Sequence, residues 1–294
     1  MQFRLRFSKT KEQVKQRHTG FRCISLLFLF SILFFGCGEY ELSSKWLDRE
    51  IIIDGIDTEW EGARYLIEGK NATIALRNDE NYLYLRLSTP DRTIQAQMIG
   101  MGLTVWFDPE GGRGKTFGIH CPIGNPDTGI MMAGRGLNKS AGRNRDEILE
   151  TAQKKVEIIG PDKDEPSTLL ASEAELLDIS VKMGISRRII IYELKVPLVS
   201  DDRRRYAIGA TGSGQMIGIG FETGRMDMGK LNEMREERRR ESDDLQRERD
   251  RVGGLGRTRS GSNRTNRMRP AGRMTPDPFE LWSKVTLASK PAGL

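Results

Sequence analysis

Hydrophobic and polar positions alternate most clearly over residues 71–87, NATIALRNDENYLYLRL. Ile74 and Leu76 fall in step on the first arm. Leu83, Leu85 and Leu87 fall in step on the second, with Tyr82 and Tyr84 between them. A period of two marks strands with one buried face. Asn78-Asp79-Glu80-Asn81 between the arms is turn chemistry, because Asn and Asp tolerate left-handed backbone and bond their own main chain. The segment predicts a β-hairpin. The same period recurs downstream, where Leu177, Ile179, Val181 and Met183 alternate with Asp178, Ser180 and Lys182. In residues 189–198, IIIYELKVPL, both alternating sets are largely apolar, which predicts a strand buried on nearly both sides. Pro197 suits its end, since proline donates nothing to a ladder. Residues 206–221 predict one or two glycine-rich strands with Ile217, Ile219 and Phe221 in step. Residues 147–159 read either as one helix or as a polar strand, and alternation of Val156 and Ile158 with charge favours the strand.

A second pattern is one of order. Asp54-Gly55, Asp57, Glu59 and Trp60 come first, then Asn78-Asp79 and Tyr82 to Leu85, then Phe107-Asp108-Pro109. This order resembles the carbohydrate-binding module family 9-like β-sandwich domains. YELKVPL at residues 192–198 is similar to that family's late strand, and WSKVTL at 282–287 to its closing strand. The resemblance implies an all-β fold, a single jelly-roll-like antiparallel β-sandwich. It also implies non-catalytic binding of an oligosaccharide or polysaccharide.

Two stretches of the 294 residues do not fit a core. Residues 1–22 are rich in Lys and Arg, and residues 23–35 are a continuous apolar run, shorter than the roughly 20 residues a spanning helix needs. A basic leader before a short apolar run describes a secretory signal. The run ends in Gly36-Cys37, which resembles a bacterial lipobox and implies a lipid on Cys37. An uncleaved anchor and plain secretion are the other readings, and all three place the domain outside the cytoplasm. The expected organisation is a signal over residues 1–36, a tether over 37–48, a sandwich over 49–224, a charged insertion over 225–275, and a closing strand and tail over 276–294. The insertion has two parts. Residues 232–251 mix acids and bases at helical spacing with no apolar stripe. Residues 253–273 are basic, low in complexity and expected to be disordered. With a net charge of +6, such a segment suits contact with an anionic envelope surface. No aromatic residues interleave its arginines, so nucleic acid is not the expected partner.

The chemistry-bearing residues are sparse. Cys121 is the one thiol after Cys37, and it reads as a small buried hydrophobe. His120 is the one His after the leader and has no partners at metal-ligand spacing. A haem reading rests only on His120 with Met98, Met101, Met131 and Met132, and no Cys-x-x-Cys-His motif is present. Gly114-Lys115-Thr116 lacks the spacing of a phosphate loop. No Ser-His-Asp or Cys-His set is found, so no enzyme is expected. The envelope scaffold that binds a protein partner is the alternative function. For a glycan, flat aromatic faces matter, and the candidates are Trp46, Trp60, Tyr82, Tyr84, Trp106 and Trp282. Asp57, Glu59, Asp79 and Asp108 are weak candidates for a calcium site, since hard cations need several oxygens.

Overall fold

The computed structural model describes residues 40–124, 142–161, 165–202, 204–210, 214–225 and 277–292, with isolated positions from 233 to 245. In chain order the strands are β1 (Tyr40–Ser43), β2 (Lys45–Trp46), β3 (Arg64–Ile67), β4 (Ala72–Asn78), β5 (Tyr82–Thr89), β6 (Leu103–Asp108), β7 (Phe117–His120), β8 (Lys155–Ile159), β9 (Ser167–Leu170), β10 (Ser180–Ser186), β11 (Ile189–Pro197), β12 (Met216–Thr223) and β13 (Glu280–Thr286). The helices are α1 (Arg92–Met101), α2 (Gly142–Ala152) and α3 (Ala171–Glu175).

The strands form two sheets. One runs β1-β13-β12-β6-β7-β8-β9, and the other β10-β11-β5-β4-β2, with β3 also pairing β4. The predicted hairpin is β4 and β5, with Leu76 opposite Leu85. Its apolar set (Ile74, Leu76, Leu83, Leu85 and Leu87) is fully buried. Val105, Phe107, Ile217, Ile219 and Phe221 of the facing sheet belong to the same core. Each such side chain contributes roughly 1.5–3 kcal/mol on burial. The protein is therefore an all-β sandwich, as the alternation required.

Several local expectations change. Residues 40–46 lie inside the region expected to be a tether, yet they supply β1 and β2. Pairing decides this. Leu42 is buried in the core, and β1 lies parallel to β13. The chain then crosses sheets, and β2 lies parallel to β4, so the sandwich is not wholly antiparallel. The Ser44 hydroxyl donates to Asn78 Oδ1 and accepts from the Ala288 amide at 2.8 Å, tying the crossing to the hairpin turn and the chain after β13. Residues 147–159, expected as a strand, are the end of α2 followed by β8. The strand expected from Leu177 begins only at Ser180. Residues 171–175 form α3 instead, and Asp178 takes a positive φ of 61° between the two. Residues 206–221 yield one strand, β12. Helix α1 was not foreseen. Its caps were nonetheless written in the sequence, with the Asp91 carboxylate accepting from the Thr93 and Ile94 amides and Gly102 at the far end. The lipobox at Cys37 and most of the insertion lie outside the described residues.

Truncating the centre of this core should be costly. Leu85→Ala is expected to lower the unfolding free energy by about 2–5 kcal/mol. Chemical denaturation should show this as an earlier midpoint with an unchanged slope.

Candidate functional site

The outer face of the six-stranded sheet is not open to solvent. Residues 47–63 lie across it, and a carboxylate on β11 holds them. Glu193 is fully buried. Its Oε1 accepts from the Trp60 indole at 2.6 Å, and its Oε2 accepts from the Gly55 and Asp54 amides at 2.8 and 3.1 Å. The Asp-Gly of the early motif has a steric reason. Gly55 has φ of 80°, and a Cβ there would stand 2.7 Å from the Gly184 amide nitrogen on β10. Only glycine lets the covering segment come this close. Beside Glu193, the buried Arg86 of β5 pairs with Asp57 at 2.8 Å, and Arg64 bonds the same carboxylate at 2.8 Å. Arg77 of β4 is also buried, pairs with Asp48 and donates to the Glu61 carbonyl. Trp60, fully buried with its indole nitrogen on Glu193, has no face for a ligand. Its role as a binding candidate gives way to that of a packing anchor.

Burial pushes the Glu193 carboxyl up to about 7, against the three N–H groups that donate to it. This leads to a pH dependence. The folded chain holds a proton at Glu193 more tightly than the unfolded chain does. The group's contribution is full below the ordinary value of 4.5 and is lost as pH rises through about 7.

The outer face of the seven-stranded sheet carries Trp106 and Trp282. In register across it run Gly118 of β7, Trp106 of β6, Gly220 of β12 and Trp282 of β13. A Cβ on Gly118 would lie 2.7 Å from Cε3 and Cζ3 of the Trp106 ring, and one on Gly220 would lie 2.6 Å from Cζ2 of Trp282. Both indoles therefore lie over backbone that has no side chain. Trp282 is buried, whereas Trp106 is half-buried. The Trp106 indole N–H donates to Glu222 Oε2 at 3.0 Å, and Lys115 Nζ stands 5.4 Å from the ring centroid. Lys115 also pairs with Glu222. In the adjacent register Thr104 Oγ1 lies 2.9 Å from His120 Nδ1, and burial pulls the His120 pKa below its ordinary value. The result is one aromatic ring with an acceptor on its indole nitrogen and a cation near its face, while the His120 imidazole lies over Gly102 just before β6.

The remaining candidates are dispersed. Tyr82 and Tyr84 meet edge to face at 6.4 Å on the outer side of β5. Tyr84 is buried, and Tyr82 carries Lys195 Nζ 4.1 Å from its centroid. Trp46 is half-buried on β2. The four acidic residues considered for calcium do not converge. Asp57 serves Arg64 and Arg86, while Glu59 accepts from the Thr58 hydroxyl. Asp79 accepts from the Asn81 and Tyr82 amides, and Asp108 from the Glu110 and Gly114 amides. Among the described residues no three His, Cys, Asp or Glu side chains gather as a metal site. Cys121 is buried, and burial pushes its thiol up to about 12. Met98 is core, and Met131 and Met132 lie outside the described residues. Sequence reasoning passed over Lys115, Glu222 and Glu193. The signal for the first two was a pair of in-strand glycines, Gly118 and Gly220, which mark close approach by another group.

No protein-family model matches the chain, and no curated protein does. Among solved structures, a carbohydrate binding module family 9 from Caldicellulosiruptor kristjanssonii in complex with glucose is similar. It has 13% identity over 65% of this chain and 81% of that one, with a TM-score of 0.31. The structure of such a module from the same organism in complex with cellotriose gives 12%, 65%, 79% and 0.32. Values this low establish neither a common site nor a common ligand.

Glu193→Gln removes the titrating proton, so the stability difference between wild type and this variant should shift in favour of wild type as pH falls from about 8 to about 5. Thermal or urea unfolding of both chains across that range measures it, and a difference that does not vary with pH overturns the assignment.

Proposed function

We propose that this protein is a non-catalytic glycan-binding module, held outside the cytoplasm by a lipid on Cys37. The observation that carries the binding reading is Trp106 laid over Gly118, with Glu222 on its indole nitrogen and Lys115 Nζ over the ring at 5.4 Å from the centroid. A pyranose offers an apolar face to stack on such a ring and hydroxyls to the flanking groups. Glu222 would accept from one hydroxyl and Lys115 would donate to its neighbour, each exchanging part of the ion pair it now makes. Trp282 packs on the same sheet as this ring, and Trp60 anchors the cover on the other sheet; neither serves the ligand. The lipid anchor follows from the Gly36-Cys37 lipobox alone.

Intrinsic tryptophan fluorescence of the protein, titrated with mono- and oligosaccharides, tests the reading. A saturable shift with one sugar class is expected. Trp106→Ala should weaken that sugar by roughly 30-fold or more, the cost of losing an aromatic anchor, whereas Tyr82→Ala should not. A flat response across neutral and acidic sugars overturns glycan binding. The sandwich is then better read as an envelope scaffold, whose signature is a stoichiometric protein partner that survives moderate salt.

A further inference from the structure

We infer that one end of the sandwich is a docking surface for an anionic lipid membrane, an inference that takes its orientation from the lipid-anchor reading. Four chain segments meet at this end, and hydrogen bonds lock them together. Thr89 Oγ1 donates to the Asn71 carbonyl at 2.7 Å. The Gln95 side-chain amide donates to the carbonyls of Thr89 and Arg188, at 2.9 and 2.7 Å. The Tyr40 hydroxyl donates to the Glu68 carbonyl at 3.0 Å. These bonds bring Lys70, Arg92, Arg187 and Arg188 to one end, and all four are exposed. None takes part in an ion pair among the described residues. Asp91, the nearby acid, has its carboxylate engaged by the Thr93 and Ile94 amides. Glu68 is the other acid of these turns, and the exposed Asp277, whose carbonyl accepts from Gln97 of α1, is a further acid near this end. Leu66 and Ile189 add exposed apolar side chains at 72% and 36%.

The opposite end differs in kind. There Arg204 pairs with Asp201, and Lys290 with Glu80. Those two cations are neutralised within the fold, the exposed Arg205 beside them contacts Tyr206, and the four on the first end face outward. The turn between β10 and β11 strengthens the contrast. Its two central residues are Arg187 and Arg188, with φ of 47° and 71°. A two-residue hairpin turn with both φ positive favours Asn-Gly. Two arginines held in that conformation place charge where the backbone alone would choose otherwise, and such outliers point to function.

Orientation follows from the chain. Cys37 precedes Tyr40 by three residues, a span of at most roughly 10 Å. A lipid on Cys37 therefore enters the membrane close to the end that carries Tyr40. Anionic headgroups attract each Lys or Arg near the surface, and the exposed Leu66 and Ile189 suit the interfacial zone just beneath.

Hydrogen–deuterium exchange of the full chain, with and without vesicles of phosphatidylcholine containing about 30% phosphatidylglycerol, tests this. Protection is expected at residues 66–71, 90–93 and 186–190, and not at 79–82 or 201–204. Pure phosphatidylcholine vesicles should give weaker protection there, as should high salt. Arg187→Asn with Arg188→Gly supplies the turn's preferred residues. This double variant should unfold at a higher temperature and yet lose the protection, separating recognition from folding. Protection at residues 79–82 and 201–204, or protection unchanged in the double variant, overturns the proposal. Mass spectrometry of the peptide containing Cys37 tests the anchor by itself; an unlipidated Cys37 removes the anchor reading, while the exchange pattern still decides the docking surface.

Discussion

The buried carboxylate of Glu193 is the contact on which one whole face of the protein depends. It sits on β11 and reaches out of the sheet to hold residues 54–60 through three N–H groups. A buried charge is costly unless its lone pairs are satisfied, and here satisfying them ties a loop to a strand. Residues 47–63 thereby cover the outer side of the six-stranded sheet. Arg77 and Arg86 are buried there against Asp48, Asp57 and the Glu61 carbonyl. Removing the carboxylate would leave Trp60 and two amides without acceptors, so the cover and the sheet stand or fall together.

Among the described residues, residues 47–63 thus cover the outer side of the six-stranded sheet, whereas the outer side of the seven-stranded sheet carries the half-buried Trp106. The six-stranded sheet uses its outer polar residues to bind its own chain. The seven-stranded sheet instead carries glycines in register with tryptophans, so indoles can lie flat on backbone. Trp106 is accordingly the ring with polar partners, Glu222 and Lys115, while Trp60, which closes the first part of the family-like motif, is a structural bolt. The ends differ too: Arg204 and Lys290 pair with acids at one, whereas at the other Lys70, Arg92, Arg187 and Arg188 make no ion pair among the described residues.

Much of the fold was legible in order and period. The β4–β5 hairpin followed from Ile74, Leu76, Leu83, Leu85 and Leu87, and β11 from residues that are apolar on both faces. The helices were less legible. Helix α2 ends in the same apolar spacing that opens β8, and short apolar runs do not separate the two periods. Strands β1 and β2 were hidden by their brevity, since a strand of two to four residues shows no period. Of the binding candidates, Trp106 was named from its residue type, but nothing in the chain order told it apart from Trp60 or Trp282.

The sequence by itself determined an all-β chain and the faces of its longest strands. Those properties are local, set by the alternation of side chains along an extended backbone and by short motifs. Tertiary structure decided which polar residues are buried, which tryptophans are fully buried and which half-buried, and which turns share an end. Those depend on contacts between residues such as Trp60 and Glu193, or Gln95 and Arg188, which lie about a hundred positions apart. Period and composition are blind to such pairs, because only the closing of the two sheets brings them together.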